Sequence, residues 1–139
     1  MLYRHGFELQ LKNFIRNVAG LRRRHHGATG PDVDREAVNE KLQRDHGHNL
    51  AKLLHELLKH YNALELREAF PESVSKVVRM LHDADRNGTA FRYSGELPDS
   101  QDHADFPALA EVLDEQLGLL SAVEDWVDEL YAAVPDHED

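Results

Sequence analysis

Arg4, His5, Glu8 and Lys12 have the residue types and the spacing for chemistry. On a helix, positions 4, 8 and 12 stack on one face, and His5 lies one turn before Glu8. Phe7, Leu11, Phe14 and Ile15 run close beside this stripe, so part of it must be buried, and buried charges need partners. Arg92, held between Phe91 and Tyr93, is the expected partner from far along the chain. As chemistry, Lys12 and Arg92 could hold a phosphate while His5 moves a proton. As structure, Arg4, Glu8 and Arg92 would form an ion network that sets helix register. The pattern favours the structural role.

Other groupings are weaker. Residues 83–94 resemble a calcium loop, with Asp83, Asp85 and Asn87 at the first three ligand positions and Gly88 at the turn. The closing position, which should be a bidentate Glu, is Ser94, so a turn is expected there and not a calcium site. Ten histidines invite a metal, yet the chain has no His-Glu-x-x-His run and no paired Glu-x-x-His. No metal or other cofactor is expected, and most histidines should face solvent. His48, just before a long helix, is the best candidate for a buried, hydrogen-bonded histidine. Arg22, Arg23, Arg24, His25 and His26 form a basic run that could meet phosphate, or that complements the negative end of a helix.

The elements that must position these groups are helical. Leu2, Phe7, Leu11, Phe14, Ile15 and Val18 predict a helix over 1–19, with Gly20 as its cap. Gly27, Gly30 and Pro31 mark a loop, and Asp34 an N-cap for a short helix to about 44. Asn49 should cap a long helix over 50–67 striped with leucines, and Pro71 should open another over 71–83. Residues 84–104 read as a long connection, and Asp105 as the cap of a last helix over 106–132. Nothing reads as a strand. The expected fold is all-α, a single domain over 1–139 built as a bundle of four main helices and one short one.

Composition narrows the classes. A chain of 139 residues can bury a real core. It has no cysteine, hence no disulfide framework or thiolate chemistry. No apolar run reaches membrane-span length, and the N-terminus lacks a signal-peptide pattern, so a cytoplasmic, globular protein is expected. Residues 1–93 hold all 16 Lys and Arg against 12 Asp and Glu, whereas 94–139 hold 14 Asp and Glu and no Lys or Arg. The net charge of −10 is therefore divided between a basic part and an acidic last helix.

The Tyr3-Arg4-His5-x-x-Glu8-Leu9-x-Leu11-Lys12 run resembles a known family, together with Gly47-His48-x-Leu50 and Asp85 followed by Phe91-Arg92-Tyr93. That family is the HEPN domain superfamily, and the likeness is closest to its bacterial stand-alone domains. It spans roughly residues 2–130 and rests on three short motifs. The resemblance implies a helical bundle paired into a homodimer. It also implies either RNase activity in toxin–antitoxin and phage-defence systems or simple binding of nucleotides or partner proteins. Catalytic members carry an Arg followed by four to six residues and a His. Here Arg44-Asp45-His46-Gly47-His48 comes nearest, with His48 one residue too close and the run ahead of the second long helix. The last helix has no Arg. Met1 also falls at the edge of the first motif, as though an upstream helical turn were missing.

The expectation is thus a non-catalytic HEPN-like binding module whose ligand is a partner protein, RNA or a nucleotide. Arg4, Glu8, Asp85 and Arg92 are assigned mainly to the fold. One rival is a metal-independent RNase in which His46 or His48 deprotonates a ribose hydroxyl and Arg44 steadies the phosphorane. Another is an acidic inhibitor whose last helix imitates nucleic-acid phosphate.

Overall fold

A computed structural model of the chain describes residues 2–46, 49–87, 100–132 and 134, with the backbone alone for 2, 45, 46, 85–87 and 100–108. The helices are α1 (Leu2–His25), α2 (Arg35–Lys41), α3 (Leu50–Ala63), α4 (Glu72–Asn87) and α5 (Ser100–Tyr131). A π-helical turn, Leu42–His46, follows α2 directly. There is no strand among the described residues. Helix α1 packs on α3 and α5, and α4 packs on the same two, so α1 and α4 lie diagonally across a four-helix bundle. The short α2 crosses α1 outside this ring.

The apolar stripes meet in one core. Phe7, Leu11, Phe14, Ile15 and Val18 of α1 are fully buried against Leu50, Leu53 and Leu57 of α3. Val74, Val78 and Leu81 of α4 and Leu113, Leu120 and Val127 of α5 complete it. Two caps form as their residue types require. The Asp34 carboxylate accepts from the Ala37 N–H at 3.1 Å, and the Asn49 side chain accepts from the Lys52 N–H at 3.0 Å.

Five boundaries differ from the sequence reading. Gly20 does not end α1. The buried Leu21 carries the apolar stripe one turn further, and Gly27, at φ 66°, turns the chain instead. The short helix passes at residue 42 into the π turn, which keeps Leu42 buried and leaves Arg44 exposed. Helix α3 stops at Ala63, four residues early. Glu65 takes φ 53°, and the Tyr61 hydroxyl donates to the Glu68 carbonyl at 2.9 Å. That turn lets Phe70 pack edge-on against Tyr61 and beside Phe14. Finally, α4 runs on to Asn87 and α5 begins at Ser100, so Asp105 lies inside a helix and not at its start.

Gly6 marks where α1 and α5 approach. A side-chain carbon there would stand 3.2 Å from Leu117 Cδ2. Gly6→Leu is therefore expected to overpack this contact and lower stability by about 1–3 kcal/mol, read as an earlier urea midpoint at constant slope. An unchanged midpoint would show that the two helices part freely there.

Candidate functional site

The polar stripe of α1 forms locally. Glu8 is 3% exposed and accepts from Arg4 Nη1 and Lys12 Nζ, both at 3.1 Å. Its two oxygens are thus bracketed one turn above and one turn below. His5 points to solvent. Arg44 is exposed and paired with Glu40 at 2.9 Å. His46 sits in the π turn, with its side chain outside the described residues. His48, Phe91, Arg92, Tyr93 and residues 88–94 of the supposed calcium loop also lie outside them, as does the side chain of Asp85. Arg4, Glu8 and Lys12 are therefore brought together, and Arg44 stands apart from them in the π turn.

A second, larger network was missed by sequence reasoning. Its centre is Glu56 on α3, whose neighbour one turn on, His60, is fully buried. Among the described residues the buried histidine is His60; His48, expected to be buried, lies outside them. Arg22 Nη1 lies 2.9 Å from His60 Nδ1, and His60 Nε2 lies 3.2 Å from Glu56 Oε2. A guanidinium only donates, so Nδ1 accepts from Arg22 and the ring proton on Nε2 points at Glu56. Lys41 and Lys59 reach Glu56 at 3.2 and 3.1 Å, and Asp32 accepts from both Arg22 and Lys59. One cluster thereby ties together α1, the loop before α2, α2 and α3. The available signal was the Glu56-x-x-x-His60 spacing on a leucine-rich helix, since two polar groups four apart at its buried edge must satisfy one another.

Asp32, Glu56 and His60 present ligand atoms within 4.8 Å of one another, as a metal centre would. Their surroundings argue against one. Each of the two carboxylates already meets cationic side chains, and the free lone pair of His60 is taken by Arg22. A cation entering here would face Arg22, Lys41 and Lys59.

Burial pushes the Glu56 carboxyl up, but contacts with His60, Lys59 and Lys41 outweigh that and hold it well below the usual carboxylate range. Asp32 is shifted the same way: burial opposes and the bonds from Lys59 and Arg22 prevail. Glu124 of α5 behaves oppositely. Burial and then the neighbouring Asp128 raise its carboxyl, only partly offset by bonds from Asn17 and Gln10 of α1. The depressed pair stabilises the fold above the ordinary carboxyl values of 4.5 and 3.8 and loses that contribution as pH falls through the lower folded values. Glu124 gains stability on protonation over the range just above 4.5. Melting temperature is therefore expected to change little down to about pH 5 and then to fall steeply. A curve rising steadily to pH 3 would contradict the Glu56 and Asp32 assignments.

The remaining arginines of the basic run face the other way. Arg16, Arg23 and Arg24 of α1 and Arg35, the first residue of α2, line a cleft of about 290 Å³ together with Asn17 and Asn39. No carboxylate lines it, and none of the four arginines makes an ion pair among the described residues. Arg16 donates to the amides of Asn39 at 2.7 Å and Asn13 at 3.3 Å, and Arg23 donates to the Val33 carbonyl. Burial, then the charges of Arg35 and Arg24, push the Arg23 guanidinium below its usual value, with Asp34 opposing them. These like charges repel one another and share a surface with room for an anion.

No family model, curated protein or solved structure matches the chain. Among the described residues no helix is long and apolar enough to cross a membrane.

Proposed function

We propose that this chain is a non-catalytic, HEPN-like helical binding module that engages RNA or a nucleotide through the arginine-bearing flank of α1 and α2. The observation that carries this reading is the cleft just described, lined by four arginines and no carboxylate, where Arg16 and Arg23 donate to neutral acceptors. Arginine clusters of this kind meet phosphate oxygens with paired N–H donors. The HEPN-like part rests on the sequence motifs, of which Arg4, Glu8 and Lys12 pair along one face of α1. The pairing into a homodimer, and a place in bacterial toxin–antitoxin or defence biology, come from the resemblance alone. For the RNase alternative, Arg44 is exposed and pairs with Glu40 at the surface, and the side chains of His46 and His48 lie outside the described residues.

A second reading has its own observation. Glu111, Asp114, Glu115, Asp125, Asp128 and Glu129 are all exposed along α5, so this face could mimic a phosphate backbone for a basic partner.

The test begins with the protein as isolated from cells, by size exclusion with mass detection and absorbance ratios. Titration of a labelled single-stranded RNA at two salt concentrations follows. Co-purifying nucleic acid or nucleotide, or RNA binding that weakens several-fold between 50 and 200 mM salt, is the expected result. A nucleic-acid-free protein that ignores RNA and nucleotides, but is captured by a basic protein partner through α5, would favour the second reading.

A further inference from the structure

Resting on the reading of this flank as a phosphate-binding surface, we infer that the α1–α2 cleft is a site for a diphosphate group, as in inorganic pyrophosphate or the diphosphate end of a nucleotide. Size is the first argument. A volume of about 290 Å³ lies just below the range of roughly 300–1,000 Å³ that encloses drug-sized ligands. The cleft is open to solvent and has room for two linked phosphates. Charge is the second. An RNA strand would bring into this space a phosphodiester with a single negative charge, whereas a terminal diphosphate concentrates several charges opposite Arg16, Arg23, Arg24 and Arg35.

Two placements are not accounted for by helix-dipole complementarity. Arginines in the last turn of α1 complement its dipole, but Arg16 lies more than two turns before that end. Arg35 stands at the first position of α2, the end of a helix where a cation is unfavourable. The floor of the cleft points the same way. Gly20 lies within α1, where glycine costs about 1 kcal/mol relative to alanine. A side-chain carbon there would meet Arg24 Nη1 at 3.0 Å and Arg23 Nη2 at 3.3 Å. The missing side chain leaves room for both guanidiniums to lie over the helix backbone at the cleft.

The experiment is calorimetric titration of the intact protein at fixed ionic strength with sodium pyrophosphate, orthophosphate, ADP and a 12-nucleotide single-stranded RNA. Pyrophosphate is expected to bind at least tenfold more tightly than orthophosphate. The double variant Arg24→Ala/Arg35→Ala should lose at least tenfold in pyrophosphate affinity, while Lys52→Ala/Lys76→Ala, exposed cations on α3 and α4, should lose less than twofold. Gly20→Leu keeps every charge and fills the floor, and should weaken binding at least fivefold. Circular dichroism melts confirm that each variant is folded. Binding of ADP as tightly as pyrophosphate marks a nucleotide diphosphate as the ligand, and binding of pyrophosphate alone marks the inorganic ion; either supports the site. Equal affinity for pyrophosphate and orthophosphate, or indifference to both the arginine and Gly20 variants, overturns it. If RNA binds while pyrophosphate and ADP do not, the diphosphate site falls and the binding-module reading stands. If none of the four binds, both fall.

Discussion

His60→Ala is expected to lower stability by about 3 kcal/mol, a large share of what a domain of this size possesses. The ring is fully buried and both of its nitrogens are engaged. Removing it leaves a cavity between α1 and α3. It also leaves Arg22 without the acceptor it meets at Nδ1, and takes from Glu56 the donor at Nε2. Each of these costs free energy separately. The check is urea unfolding, with a lower midpoint at constant slope. His55→Ala, one turn earlier on the exposed side of α3, should stay within about 0.5 kcal/mol of the parent. A loss below about 1 kcal/mol at His60 would mean that the ring is not held as described.

Glu56→Gln is expected to cost about 2 kcal/mol at pH 7. The substitution is nearly isosteric, so packing hardly changes. What it removes is the negative charge facing Lys41, Lys59 and the His60 proton. The loss should fall below that of a fully buried ion pair, because both lysines are some two-fifths exposed and can turn to water. The same variant should flatten the acid limb of the stability curve, since one of the two carboxyls responsible for it is gone. His60 and Glu56 share a hydrogen bond, so the double variant His60→Ala/Glu56→Gln should lose less than the two single losses combined. Additive losses would show that the two side chains act independently.

These expectations concern residues that sequence reasoning passed over, and the reason is distance along the chain. Asp34 and Asn49 were readable as caps because the groups they satisfy lie three positions away. The Arg4–Glu8–Lys12 stripe was readable because each contact spans four residues of one helix. The core faces of α1, α3 and α4 followed from periodicity. Glu56 and His60 carried a local clue, but their burial depends on Arg22, which is 38 positions from His60.

The same division separates what the residues determined alone from what the packed chain decided. Five helices, their apolar stripes, two N-caps and an ionic ladder on α1 are consequences of neighbours within about a turn, where steric preference and hydrogen bonding act without outside help. Helix ends were different. Gly20 looks like a stop, yet α1 continues because Leu21 has a core to enter. Leu64 and Leu66 look like continuation, yet α3 ends because Phe70 must fold back on Tyr61 and Phe14. Both sites also belong to the tertiary level. Successive arginines at the end of α1 point to different sides of the helix, and only the placement of α2 and α3 sends Arg22 into an ion network and Arg23 and Arg24 into an open cleft. Charge type was written in the chain, but whether each charge would be neutralised or left facing solvent depended on which helix came to lie against it.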